Sequence, residues 1–274
     1  MYEFYGNTNS NEVIVAIPAL GERKEMFQPL ANEMNNYSWL VFDLPGSNKE
    51  QLDDYSIHSF CEYINQTLES LNIHKAHFLG NSLGAWVIQA FTSNYPEYVN
   101  SLALLDGGHY FLGERNEPHE DVELPSAIEN FDDIRDGVKE LTYSMPNLEV
   151  QAYTNFENYF LSNYIKQGNF YAHHCSEAAY NSLSKEISST NYCLNELAIP
   201  TILLIAEASA DEISLNKSTI FNDQFEKAKV VLIDNGQHYL PLTNTEAVAK
   251  KLEDFFQNGD FLKNNLQQSG AIDK

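Results

Sequence analysis

The chain has 274 residues, 43% of them apolar, and 39 acidic against 16 basic residues give a formal charge of −23. That size supports a large buried core in one α/β unit, while no stretch approaches the ~18 apolar residues of a membrane span. So acidic a surface repels phosphate backbones and anionic headgroups, which argues against nucleic acid or a membrane surface as partner and leaves a small-molecule substrate.

Cys61, Cys175 and Cys193 are odd in number and far apart. No disulfide framework is expected from them, and the cytoplasm is the expected compartment. The opening residues MYEFYGNTNSNEVIV lack the basic start and continuous apolar run of a secretory signal.

Along the chain, short apolar runs at 13–17, 39–42, 76–79, 102–105, 201–205 and 230–233 read as strands. They do not alternate with polar residues, which is the pattern of strands buried on both faces of a parallel sheet. Helical spacing separates several of them. Ile57, Phe60, Cys61, Ile64, Leu68 and Leu71 line one face of a helix over 57–71, and Leu83, Val87, Ala90, Phe91 and Tyr95 do so over 83–95. Near the end, Thr243-Asn244-Thr245-Glu246 reads as a capping box that opens a helix to Phe256, with Gly259 beyond it. Strand alternating with helix predicts an α/β fold with a mostly parallel, doubly wound sheet.

Between Asp106 and Pro200 that rhythm stops, and aromatics become frequent: Phe131, Tyr153, Phe156, Tyr159, Phe160 and Tyr164 among them. A structureless loop of such length is improbable, so the segment is expected to fold as helices, with one across 155–165. The expected organisation is a core of 1–106 and 198–260, a helical cap of 107–197, and a polar tail of 261–274.

Gly80-Asn81-Ser82-Leu83-Gly84 fits G-x-S-x-G. Gly and Ser are common enough that about one chain in ten of this size holds the bare pattern by chance. Its setting carries more weight: the motif directly follows one predicted strand and directly precedes a helix. A serine in such a sharp turn needs small residues two before and two after it, because the backbone crowds there.

The stretch SIHSFCEYINQTLESLNIHKAHFLGNSLGA, residues 56–85, resembles the helix, strand and nucleophile elbow of the α/β-hydrolase superfamily, in its lidded serine-hydrolase branch. VIVAIPALGERKEMFQPLA, residues 13–31, is similar to the stretch where that family carries a His-Gly pair before an oxyanion-binding backbone N–H. Here the pair is Pro18-Ala19. The resemblance implies Ser82 as nucleophile and the N–H groups of Leu20 and Leu83 as the oxyanion hole. It also places the histidine in a loop after the last strand, which is where His238 stands in Asn235-Gly236-Gln237-His238.

The other histidines have poorer settings. His77 lies in a strand, His58 and His74 flank a helix, and His109 and His119 belong to the insert. His173-His174-Cys175 invites a metal reading, but no further ligands stand at a recognisable spacing, so no metal is expected. The resemblance puts the triad acid after the strand at 201–205, where the ungapped position holds Ser209. Asp211 fits with a loop two residues longer and is the expected acid. Asp106, one strand earlier, and Glu207, early in the turn, are the alternatives.

An acyl-enzyme hydrolase of a small or medium carboxylic ester, needing no cofactor, is the expected function. Gly80-Asn81-Ser82 also occurs in family members that cleave carbon–carbon bonds of ring-fission products. A non-catalytic ligand-binding protein on the same scaffold is the reading from a different class.

Overall fold

The computed structural model describes residues 2–110, 112–115, 119–190, 192, 199–225 and 227–257. Cys193, Leu197 at the expected end of the cap, and the tail 261–274 lie outside the described residues. The strands are β1 (Tyr2–Gly6), β2 (Val13–Ile17), β3 (Ser38–Phe42), β4 (Ala76–Asn81), β5 (Val99–Leu105), β6 (Tyr164–Gln167), β7 (Phe170–His173), β8 (Thr201–Ala206) and β9 (Ala228–Ile233). The α-helices are α1 (Gln28–Glu33), α2 (Ile57–Ser70), α3 (Leu83–Asn94), α4 (Phe131–Ser144), α5 (Val150–Ser162), α6 (Glu177–Ser189), α7 (Glu212–Gln224), α8 (Leu240–Thr243) and α9 (Thr245–Gln257).

Seven strands form one sheet in the order β1-β3-β2-β4-β5-β8-β9. All are parallel to their neighbours except β1, which pairs antiparallel with β3. Side chains of successive residues leave a strand on opposite faces. Val15 and Ile17 of β2 therefore join the core shared with α2, α3 and α7, while Ile14 and Ala16 join the core shared with α1 and α9. This is the doubly wound α/β sheet that the apolar runs predict.

Local sequence sets the helix ends. Ser56 caps α2 by accepting the Ser59 N–H at 3.1 Å, and its apolar face, Ile57, Phe60, Cys61, Ile64 and Leu68, is buried. Helix α3 is buried continuously from Leu83 to Thr92, which keeps it tight against β4 and the turn that opens it. Thr243 does not cap the last helix. It ends α8, and its hydroxyl donates to Tyr239 O at 3.0 Å.

Two expectations about strands and insert change. β9 is an edge strand, so Leu232 is 44% exposed rather than buried. The insert holds α4, α5 and α6, but also an antiparallel hairpin of β6 and β7 that bridges to Ile128. Helix α5 consequently stops at Ser162, because Tyr164–Gln167 pairs with Phe170–His173 across a turn in which Gly168 has φ +62°. The α5 aromatics differ in burial, Phe156 and Tyr159 being buried and Tyr153 and Phe160 half-buried. Phe156 is fully buried, stacks on Phe160 at 4.2 Å, and meets the Tyr239 ring edge-on at 5.6 Å, beside His238.

Candidate active site

Strand β4 delivers Ser82 at its carboxyl end, in the middle of the sheet. The serine has φ 52° and ψ −116°, a conformation that costs a non-glycine residue about 1–3 kcal/mol and survives only where the surroundings impose it. Here its N–H donates to Leu105 O at 2.9 Å, and its own carbonyl accepts the Ala85 N–H at 2.9 Å. The glycines on either side are needed for close approach. A Cβ on Gly80 would lie 2.3 Å from the Gly84 carbonyl, and one on Gly84 would lie 2.1 Å from Ile17 O. The loop leaving β2 thus passes directly against the elbow.

Asn81 ties the neighbouring loops to this turn. Fully buried, it donates from Nδ2 to Leu105 O at 2.9 Å and to His238 O at 3.2 Å. One amide therefore sets the end of β5 and the histidine loop beside Ser82. No hydrogen bond joins Ser82 Oγ to the imidazole among the described residues.

The carboxylate at the imidazole is Asp106, not Asp211. His238 Nδ1–H donates to Asp106 Oδ2 at 2.6 Å, which leaves Nε2 as the ring's acceptor. Asp106 follows β5 with φ 49°, and its side chain is 2% exposed. Its Oδ1 accepts the Ala206 N–H at 2.8 Å, and its Oδ2 also accepts the Ser209 hydroxyl at 2.6 Å. Ser209, at the position where the resemblance leads one to expect an acid, thus supports the carboxylate that comes from the adjacent strand. Asp211 is occupied elsewhere: as N-cap of α7 it accepts the Ser214 N–H at 2.7 Å. Glu207 Oε2 accepts the Asn235 N–H at 2.6 Å and so braces the histidine loop from outside.

Leu83 is the first residue of α3, where helix geometry leaves N–H groups without an internal acceptor. Leu20, half-buried, lies in the loop after β2. No group among the described residues accepts a hydrogen bond from either N–H.

Beyond Leu20 the loop turns polar and buried. Burial pushes the Glu22 carboxyl up to about 7, against hydrogen bonds from Tyr159 and Asn163 and the nearby Arg23 and His238 that favour its ionised form. Burial also pushes His173 down to about 4 and His174 down to about 2, so both rings are neutral. The metal reading of His173-His174-Cys175 has a different outcome: His174 Nε2 is bonded to Gly21 O at 2.9 Å, and His173 Nδ1 accepts the Cys175 N–H at 3.2 Å. Cys61 and Cys175 are buried free thiols, each pushed up to about 12 by burial. Sequence reasoning gave no role to Asn81, Ser209 or Glu22, although Asn81 stood inside the motif and Ser209 at the position where the resemblance puts the acid.

A strained serine between strand and helix, beside an imidazole held by a buried carboxylate on a parallel sheet, defines the α/β-hydrolase class. The chain belongs to the alpha/beta hydrolase fold family, whose model matches residues 12–245, and it is a hydrolase of that fold. Among characterised relatives, it is 23% identical over 269 residues to monoacylglycerol lipase ABHD6 of Bos taurus, covering 93% of this chain and 78% of that one. A shorter match, 35% identical over 78 residues, links it to a 2-hydroxy-6-oxononadienedioate/2-hydroxy-6-oxononatrienedioate hydrolase of Escherichia coli, over 26% of each chain. Among solved structures, E-2-(acetamidomethylene)succinate hydrolase superposes with TM-score 0.73 at 16% identity, covering 93% of this chain and 94% of that one. No helix among the described residues is long and apolar enough to cross a membrane.

Proposed function

We propose that the protein hydrolyses a small or medium carboxylic ester through an acyl-enzyme on Ser82. The observation that carries this is the 2.6 Å pair of His238 Nδ1 and Asp106 Oδ2, tethered by Asn81 to the strained serine. With Nδ1–H given to Asp106, Nε2 takes the Ser82 proton as Oγ attacks the ester carbonyl. The tetrahedral oxyanion is received by the N–H groups of Leu20 and Leu83, each such donor being worth about 3 kcal/mol to the transition state. The imidazolium then protonates the leaving alkoxide, and the same base activates the water that releases the acid. The serine–imidazole hydrogen bond forms as substrate binds, since catalytic contacts often tighten only in the complex.

An ester is favoured because the ABHD6 likeness spans nearly the whole chain, whereas the likeness to the 2-hydroxy-6-oxononadienedioate hydrolase covers a quarter of it. A small-molecule substrate suits the strong negative charge, and two buried free thiols suit a reducing compartment such as the cytoplasm. The test is hydrolysis of 4-nitrophenyl esters of increasing acyl length. Turnover should vanish in Ser82→Ala and in His238→Ala; ester turnover that survives both removes the proposal. A wild type that cleaves vinylogous 1,5-diketones and not esters points to the carbon–carbon reading.

A further inference from the structure

The loop that follows the expected oxyanion donor Leu20 is held by the insert. Gly21, Glu22 and Arg23 each bond to a residue between β5 and β8. Gly21 O accepts from His174 Nε2 at 2.9 Å, and Glu22 Oε2 accepts from Asn163 Nδ2 at 2.9 Å. The Arg23 N–H donates to the Tyr159 hydroxyl at 2.8 Å, while its guanidinium donates to Asn163 Oδ1 at 3.2 Å and to Ser162 O at 2.8 Å. His174 and Asn163 are both fully buried, so these are fixed contacts rather than surface encounters. The ring tautomer is consistent. His174 gives Nε2–H to the carbonyl, and Nδ1 accepts the Asn48 N–H at 3.5 Å.

Loop geometry is also constrained by shape. Gly21 has φ +77°, and a Cβ there would meet the Tyr180 ring of α6 at 2.9 Å. The segment before Gly21 is Pro18-Ala19-Leu20, with no polar side chain to fix the position of the Leu20 N–H.

We propose that the insert sets the oxyanion loop, with His174 and Tyr159 as positioning residues that aim the Leu20 N–H at the developing charge. This rests on the acyl-transfer reading above. An oxyanion donor acts only if it already points where charge will appear, so a loop freed by a fraction of an ångström loses rate before it loses binding. His174→Ala removes the bond to Gly21 O. His174→Gln retains an amide N–H near the place of Nε2. Tyr159→Phe removes one hydroxyl and keeps the ring.

The experiment measures kcat and KM for 4-nitrophenyl butyrate, inhibition by a trifluoromethyl ketone, and thermal melting. The ketone carries an oxyanion once Ser82 adds to it. His174→Ala is expected to lower kcat about 100-fold and weaken the ketone similarly, the scale of losing one oxyanion donor, with KM changed less than about threefold. His174→Gln should recover to within about fivefold of wild type, and folded Tyr159→Phe should lose about tenfold in kcat. Three results would overturn the proposal: normal kcat in folded Tyr159→Phe, equal losses in His174→Ala and His174→Gln that follow a lowered melting temperature, or a rise in KM alone. Should His174→Ala fail to fold, Tyr159→Phe and His174→Gln decide the matter. Wild-type turnover that persists in Ser82→Ala overturns the acyl-transfer reading and this assignment with it. Ser82-dependent turnover that ignores His174 and Tyr159 overturns this assignment alone.

Discussion

His238 and Asp106, 132 positions apart in sequence, meet through a 2.6 Å Nδ1–Oδ2 hydrogen bond at the ends of two loops. Asp106→Asn is therefore expected to lower kcat by orders of magnitude, about 10⁴-fold in the serine-protease precedent, because an amide can reverse the imidazole tautomer. Ser209→Ala removes one of the hydroxyl and amide donors to that carboxylate and should cost less than tenfold. Asp211→Ala should leave kcat within about tenfold and cost about 1 kcal/mol of stability, the usual value of an N-cap. Steady-state rates beside urea unfolding check all three, and a dead but stable Asp211→Ala with an active Asp106→Asn would reverse the assignment.

Why the sequence pointed past Asp106 has a physical reason. Asp211-Glu212-Ile213-Ser214 carries a helix N-cap in plain view, a carboxylate three residues before an N–H it can accept from. That local role competes with any catalytic one. Asp106 gives no local signal. Its place beside the imidazole arises from β5 lying between β4 and β8, which brings Ser82, Asp106 and Ser209 together at the carboxyl ends of three adjacent strands. The parallel strands and the elbow were legible because burial on both faces and backbone crowding each leave a residue-level mark. β1 was not, since Tyr2–Gly6 is a mostly exposed edge strand without an apolar run. Nor was the β6–β7 hairpin: the helix-like spacing over 155–165 runs into β6 at Tyr164, and the pairing with Ile128 is decided by tertiary contact.

Buried groups around the loop that follows β2 give stability an unusual pH profile. His173 and His174 stay neutral when folded but take protons below about 6.5 when unfolded, so stability falls as pH drops, by about 1.4 kcal/mol per unit for each. Glu22 acts in the opposite sense. Its folded value is raised from 4.5 to about 7, so its contribution is full below pH 4.5 and is lost as pH rises through 7. Between 6.5 and 4.5 one proton partly offsets two. Glu22→Gln should then lose stability about twice as steeply as wild type on going from pH 6.5 to 5, and should exceed wild type at pH 8. Urea midpoints measured at those three values would tell; parallel curves for the two proteins would contradict the burial argument.

Phe156 joins α5 to the residue after His238 through its contact with Tyr239. Being fully buried, it should cost about 3–5 kcal/mol when cut to Ala. Relative rates across acyl chain lengths are expected to stay the same in the surviving folded fraction. A stable Phe156→Ala with altered chain-length preference would instead put this ring against substrate.

Gly84 admits no side chain where the loop after β2 crosses the elbow. Gly84→Ala places a Cβ 2.1 Å from a backbone oxygen that cannot rotate away, and overpacking of this kind costs about 1–3 kcal/mol or more. The expected result is a sharply lowered melting temperature together with lost turnover. Wild-type stability in Gly84→Ala would show that the elbow leaves room for a methyl group beside Ile17 O, contrary to the 2.1 Å approach.

Acyl transfer on this sheet requires Ser82 as the nucleophile. Incubation with a fluorophosphonate, followed by intact-mass measurement and peptide mapping, reads this directly. The wild type should gain one adduct mass, located on the peptide containing Ser82, and folded Ser82→Ala should gain none. Stoichiometric labelling of Ser82→Ala, or an adduct mapped to another residue of the wild type, would contradict it.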